Sequence, residues 1–206
     1  MKKTSPYLWF FLTLAAIAAL TAFGPAEKTL GTNVRVVYLH GVWVWGALAA
    51  FLAAALAGLA GLISQREALH RWSLAFGRTG LFLWITYLPI SMWAMQTNWN
   101  GLFLAEPRFR LALVFAVAGL LLQLGLTLVE QPAWASLANL IYFIVLTLAL
   151  RTTENVMHPV APILNSNAWK IQLFFGGLLL LTWLAAWQIA RWWYQLDQAK
   201  PPASSR

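Results

Sequence analysis

Six long apolar runs, separated by short polar segments, dominate this sequence. A bilayer core about 30 Å thick is spanned by about 20 apolar residues in an α-helix. Each run is close to that length or longer: residues 6–24, 36–64, 79–97, 111–129, 133–150 and 168–189. In lipid a spanning segment must satisfy its own backbone hydrogen bonds, which an α-helix does. The pattern therefore predicts an all-α fold, with residues 1–206 forming one membrane domain, an integral bundle of six transmembrane helices.

Composition supports the membrane interpretation and narrows the chemistry. Charged residues make up 10% of the chain and apolar residues 61%, whereas a soluble domain carries about 25% charged residues. The absence of cysteine excludes thiolate-ligated metals, iron–sulfur clusters and covalent haem attachment on this chain. The 14 Lys and Arg residues are scattered among the loops. A lipid bilayer is therefore an expected partner and nucleic acid is not.

The distribution of positive charge predicts the orientation. If the amino terminus is inside, eight Lys and Arg lie on the inner side: Lys2, Lys3, Arg66, Arg71, Arg78, Arg191, Lys200 and Arg206. Six lie on the outer side: Lys28, Arg35, Arg108, Arg110, Arg151 and Lys170. The excess of inner positive charge favours this orientation, which places both termini in the cytoplasm. We expect residues 6–24 to be a retained helix rather than a cleaved signal peptide, and residues 200–206 to be a disordered tail.

The acidic residues and motifs argue against catalysis and ion pumping. All six Asp and Glu residues lie in predicted loops or at helix ends, whereas proton pumps place ionisable groups at membrane depth. No phosphate-binding loop, zinc-protease motif or nucleophile elbow is present. We therefore expect a binding protein and not an enzyme. Beside Arg71, His70 is interpreted as a surface residue of an inner loop.

Two histidines remain as candidate ligands. In the predicted topology His40 lies at the outer end of the second helix and His158 in the last outer loop. Two imidazoles at one face could supply both axial nitrogens of a haem iron. The alternative is that both are ordinary helix-end residues, since aromatic side chains such as Trp99 are enriched at membrane interfaces without any cofactor.

Two segments resemble the cytochrome c assembly family of haem-handling membrane proteins. Residues 31–40, GTNVRVVYLH, match in type and spacing the family's element of an Arg, an aromatic and a histidine at the start of the second helix. Residues 153–159, TENVMHP, resemble its second outer histidine, which follows an Asn three residues earlier. The number of helices, their orientation and the chain length are also similar. The resemblance covers the chain from about residue 32 to the end of the sixth helix.

The resemblance implies a function and a set of site residues. His40 and His158 would ligate the iron of non-covalent haem b at the outer face of a bacterial plasma (inner) membrane, in a multi-pass protein. Trp99 and Phe103 would line the haem edge, and Arg108 would pair with a propionate, as a guanidinium suits a carboxylate. Arg35 is a second candidate for that pairing, or an interfacial anchor. The expected partners are haem and other membrane subunits or a haem chaperone.

The outer loop of residues 98–110 departs from the family pattern. The family's tryptophan-rich element corresponds to residues 99–108, where Trp99, the acid Glu106 and Arg108 agree. Tryptophans are expected at three positions that hold Leu102, Phe103 and Ala105. Glu106 is interpreted as a loop-shaping or solvated residue. The altered loop leaves two alternatives open: a b-type haem subunit of a respiratory or photosynthetic complex, and a haem-free structural subunit of such a complex.

Overall fold

The protein is a bundle of α-helices in a computed structural model that describes residues 6–129, 131–154, 156 and 161–198. The helices are α1 (Pro6–Ala22), α2 (Val34–Ser64), α3 (Glu67–Trp99), α4 (Pro107–Val129), α5 (Pro132–Thr152) and α6 (Trp169–Gln198). The β pairing in this part of the chain is a single bridge between Glu27 and Gly31. The predicted all-α class is thereby confirmed. Residues 200–206 and His158 lie outside the described residues.

Four of the described helices are long and apolar enough to cross a membrane, namely α2, α4, α5 and α6. This supports a multi-pass membrane protein. The α1 helix is apolar but has 17 residues. The α3 helix begins at Glu67, twelve residues before the predicted span 79–97, and its added first turns are polar. At 33 residues and a rise of 1.5 Å per residue it is about 50 Å long, which exceeds the thickness of a bilayer core.

Local sequence signals account for the helix ends. The α2 helix ends at Ser64 and is capped by Gln65, which adopts the left-handed conformation (φ 56°) and donates its N–H to the Gly61 carbonyl at 2.8 Å. Asn100 ends α3 in the same conformation (φ 54°). Prolines begin α4 and α5, because the first helical residue needs no N–H donor. The tight connection at residues 65–66 makes α2 and α3 an antiparallel hairpin.

Glycines let the helices approach closely around this hairpin. A Cβ on Gly80 of α3 would lie 2.6 Å from the Phe51 ring of α2. On Gly46 it would lie 2.8 Å from Thr182 of α6, and on Gly58 it would lie 2.8 Å from the Ser136 carbonyl oxygen of α5. Real Cβ contacts are not that short, so these positions accept only glycine without rearrangement. Close backbone approach is how helices gain packing energy in lipid, where no hydrophobic force drives them together.

A polar network joins α3, α4 and α5 in the half of the bundle that carries the α2–α3 turn. Following the predicted orientation, we label this half the inner half and the opposite half, which carries the α3–α4 connection, the outer half. The side-chain amide of Asn139 donates to the Ser73 carbonyl at 2.9 Å and to the Ser73 hydroxyl at 3.2 Å. Its oxygen accepts the amide of Gln123 at 3.0 Å. All three residues are buried. We refer to Ser73, Gln123 and Asn139, with the His70–Ser136 pair next to them, as the inner polar network.

His70 is part of this network, so its interpretation as a surface residue is wrong. Its side chain is 6% exposed and its Nδ1 lies 2.7 Å from the Ser136 hydroxyl. The imidazole also packs against Gly61, where a Cβ would lie 2.9 Å from Nδ1. The α2–α3 turn comes close to α5 at this point, and that contact hides His70 from solvent although Arg71 beside it is partly exposed.

The inner end of α6 packs on α3. Arg78 makes two bonds to Asp197, at 2.9 and 3.0 Å, and its guanidinium lies 5.5 Å from the Trp193 ring centre. The rings of Trp72 and Tyr194 stack at 4.2 Å. Trp193 and Tyr194 therefore contribute contacts between α6 and α3, whereas Trp192 is 44% exposed.

Single cysteines in this cysteine-free chain test the topology. Gln65 and Asn100 are exposed at opposite ends of α3. We predict that a membrane-impermeant maleimide labels Asn100→Cys from outside the cell and Gln65→Cys only after the inner face is opened. Labelling of both from the same side would contradict the topology.

Removing the central amide should weaken the bundle. We predict that Asn139→Leu lowers the free energy of unfolding by about 1–2 kcal/mol, because Ser73 and Gln123 lose a buried partner. Reversible unfolding in mixed detergent micelles measures this. The control Asn165→Leu, at an exposed outer position, should change stability by less than about 0.5 kcal/mol. Equal effects of the two changes would contradict a structural role for the network.

Candidate functional site

His40 is the candidate ligand that the structure describes. It lies six residues inside α2, about 9 Å from the start of the helix, and is half-buried. Its ring packs against Tyr87 of α3, with the ring centres 5.6 Å apart and the planes at 53°. His40 therefore lies between α2 and α3 just below the outer end of the bundle, where an imidazole nitrogen is a suitable metal ligand.

The connection between α1 and α2 fixes the outer end of α2. Arg35 Nε donates to the Gly24 carbonyl at 2.9 Å, and the Tyr38 hydroxyl donates to the Pro25 carbonyl at 3.1 Å. Within the connection, Glu27 accepts the backbone N–H groups of Leu30 and Thr29 at 2.8 and 2.7 Å. These bonds to the ionised form lower the pKa of the Glu27 carboxyl.

Arg35 and His40 lie on different faces of α2. Five residues at 3.6 residues per turn separate them by about 140° around the helix axis. The Arg35 bond to Gly24 is that of an anchor for the α1–α2 connection. The structure therefore does not bring Arg35 and His40 together, although both lie near the outer end of the same helix.

The predicted haem-edge residues form an exposed apolar loop. The Trp99 and Phe103 rings meet edge to face, with their centres 5.9 Å apart. Phe103 is 42% exposed between Leu102 and Leu104, which are also exposed. Residues 102–107 line an open, shallow depression on the surface of this loop. This loop lies farther out than His40, because Asn33, seven residues before His40, donates to the Thr97 carbonyl at the end of α3.

Glu106 lines the depression and bonds to the first turn of α4. Its Oε2 accepts the N–H of Phe109 at 2.6 Å, which caps the first turn of the helix. The interpretation as a loop-shaping residue agrees with this bond. Glu106 is however 6% exposed and not solvated, and its second oxygen, Oε1, is buried without a hydrogen-bond partner. Arg108 follows within the same turn and is half-buried.

The outer end of α5 lies at the depth of His40. The α2 and α5 helices are antiparallel, since Gly58 contacts Ser136 and Phe51 contacts Tyr142. From the Gly58–Ser136 contact, α2 runs 18 residues outward to His40, about 27 Å, and α5 runs 16 residues outward to Thr152, about 24 Å. The chain therefore leaves α5 at about the depth of His40 in the bundle. His158, the second predicted ligand, lies beyond this point and outside the described residues.

The described residues fit a haem in kind. They supply a half-buried imidazole at His40, aromatic surface at Tyr87, Trp99 and Phe103, and a guanidinium at Arg108 that suits a propionate. Among the described residues no three His, Asp or Glu side chains form a group that holds a metal ion.

Two features of this site were not predicted from sequence. The Tyr87 contact joins residues 47 positions apart, and no local pattern predicts it. The burial of Glu106 has a partial signal, because an acid directly before a proline that begins a helix is a typical helix cap. Comparison of the chain with protein-family models and with curated proteins found no match.

The helix cap at Glu106 can be tested directly. We predict that Glu106→Ala increases hydrogen–deuterium exchange at the Phe109 amide by about threefold to thirtyfold, since the loss of a helix cap costs about 0.5–2 kcal/mol. Glu106→Gln retains an acceptor and should exchange much less. Glu67→Ala, an exposed acid in the first turn of α3, is the matched control. Unchanged exchange at Phe109 in Glu106→Ala would contradict the assignment.

Proposed function

We propose that the protein is a haem-handling membrane protein of cytochrome c assembly. It binds haem b at the outer face of a bacterial inner membrane and relays it to a partner. The observation that carries the proposal is the His40 imidazole, held half-buried against an aromatic ring below the outer end of the bundle. The resemblance of residues 31–40 to the cytochrome c assembly family identifies the same histidine.

The proposed topology has six spans with both termini in the cytoplasm. Four helices of sufficient length and hydropathy support it, and α1 and α3 complete the bundle as the remaining spans. The antiparallel α2–α3 hairpin then has its turn on the inner side and its open end, with His40, on the outer side. The excess of inner Lys and Arg supports this orientation.

Each site residue has a proposed role. His40 and His158 are the axial ligands, and the position of the α5 end at the depth of His40 supports this pairing. Trp99 and Phe103 provide apolar surface for the haem edge, and Arg108 pairs with a propionate. Arg35 stabilises the α1–α2 connection and, through it, the outer end of α2. Haem would supply an iron that imidazole nitrogens can coordinate, and the binding would be reversible because it needs no covalent attachment through cysteine.

The proposed activity is binding and transfer in which iron–imidazole coordination forms and breaks but the cargo is not chemically changed, so the protein is proposed to be a binding and relay module and not an enzyme. An open depression beside exposed Leu102, Phe103 and Leu104 supports transfer, because cargo must leave the site. The acceptor is another membrane subunit or a haem chaperone. Since leucine, phenylalanine and alanine replace the family's tryptophans here, we propose that the acceptor contacts this loop through apolar surface without hydrogen-bonding indole groups.

Absorption spectra test the proposal. We predict that the detergent-purified wild-type protein shows the Soret band and reduced-minus-oxidised features of low-spin haem, and that His40→Ala and His158→Ala each lose most of this signal. The matched control is His70→Gln, which alters the one histidine assigned to the inner polar network. If this variant folds, it should retain haem.

The outcomes separate the alternatives. Haem that is retained at wild-type occupancy in either single outer variant would contradict the axial pair. Haem that never transfers to an apo-acceptor and keeps a fixed reduction potential would favour a b-type electron-transfer subunit. A well-folded wild-type protein with no haem signal, even after supplementation with a haem precursor, would favour a structural subunit.

A further inference from the structure

We infer that Tyr87 is a positioning residue for His40, whose ring holds the imidazole in one orientation at the outer site. The two ring centres lie 5.6 Å apart with the planes inclined at 53°. What His40 binds rests on the proposed function. The contact itself is a feature of the fold, so it can be tested with or without haem.

A histidine ligand needs such a contact. The torsion that rotates an imidazole about its Cβ–Cγ bond is broad and roughly twofold, so the side chain alone does not define the ring plane. Ligand groups must be held within about 10–20° of their working orientation by neighbours that are themselves fixed. His40 is half-buried, and the Tyr87 ring of α3 is one neighbour that contacts its imidazole directly.

Tyr87 is itself fixed by the core. It is 5% exposed, and its ring packs on Trp84, with the centres 5.1 Å apart at 60°. Trp84 is 1% exposed, and its indole N–H donates to the Ala112 carbonyl of α4 at 3.0 Å. Phe51 of α2 packs against the edge of the same indole at 6.1 Å. A rigid series of contacts therefore runs from the α4 backbone through Trp84 and Tyr87 to His40.

The first test needs no haem. Diethyl pyrocarbonate modifies accessible imidazole nitrogens, and peptide mass spectrometry reports His40 separately from the other two histidines. In Tyr87→Leu we expect the modification of His40 to accelerate about twofold to tenfold, as one aromatic contact is lost. In Tyr87→Phe, which keeps the ring, the rate should match that of the wild type.

The second test reads the ligand orientation in haem-loaded protein. The g-values of low-spin ferric haem in electron paramagnetic resonance depend on the angle between the two imidazole planes. Tyr87→Leu should shift or broaden the largest g-value, and Tyr87→Phe should restore it. Trp72→Leu is the matched control, since Trp72 stacks on Trp187 and Tyr194 and lies 15 residues from Tyr87 on the same helix, about 22 Å by helix rise.

The results have distinct meanings. An unchanged rate of His40 modification in a folded Tyr87→Leu variant overturns the inference, as does an equal acceleration in Trp72→Leu or Tyr87→Phe. If Tyr87→Leu does not fold, Tyr87→Met and Tyr87→Ile replace it in the same assay, and wild-type rates in both overturn the inference. If neither the wild-type protein nor the variants bind haem, the proposed function is contradicted. The rates of His40 modification still decide whether Tyr87 positions His40.

Discussion

The bundle depends on polar side chains that satisfy one another where lipid can satisfy none. Helices in a bilayer gain nothing from burying apolar surface against each other, so hydrogen bonds and close packing must hold them. Asn139 supplies both: it bonds Ser73 and Gln123, and its amide occupies the space left by Gly77, where a Cβ would lie 2.6 Å away. This point fixes α3, α4 and α5 relative to each other in the inner half.

The outer half combines a ring contact with a hydrogen bond between helices. There α2 and α3 are joined by the His40–Tyr87 ring contact and by the Trp43 indole N–H, which donates to the Thr86 hydroxyl at 2.9 Å. The α5 helix reaches only the depth of His40, whereas α2 continues six residues farther out. Because α5 ends at about the depth of His40, the His40 side chain packs against Tyr87 on one side and remains partly exposed.

Sequence alone predicts the six helices well, because long apolar runs with few charges have one stable arrangement in lipid. It misses the first turns of α3, since Glu67, Arg71 and Arg78 lower the hydropathy there. The partner of Arg78 is Asp197, 119 residues away. The burial of His70 was not predicted for the same reason: its partner, Ser136, lies 66 residues away in the sequence. Ser136 and Asn139 do stand out as polar residues inside an apolar run, and that signal indicates the inner network without naming its bonds.

At the candidate site, too, contacts between residues that are distant in sequence could not be predicted. Motif resemblance identifies His40, but it says nothing of Tyr87, whose role depends on the register of the α2–α3 hairpin. That register follows from the glycine contacts: Gly80 beside Phe51 and Gly61 beside His70 allow a single alignment of the two helices. We expect a larger residue at either glycine to shift α3 against α2 and so to move the Tyr87 ring relative to His40, although Gly61 lies about 32 Å from His40 by helix rise. The orientation of the outer imidazole is therefore set partly by packing in the inner half of the bundle.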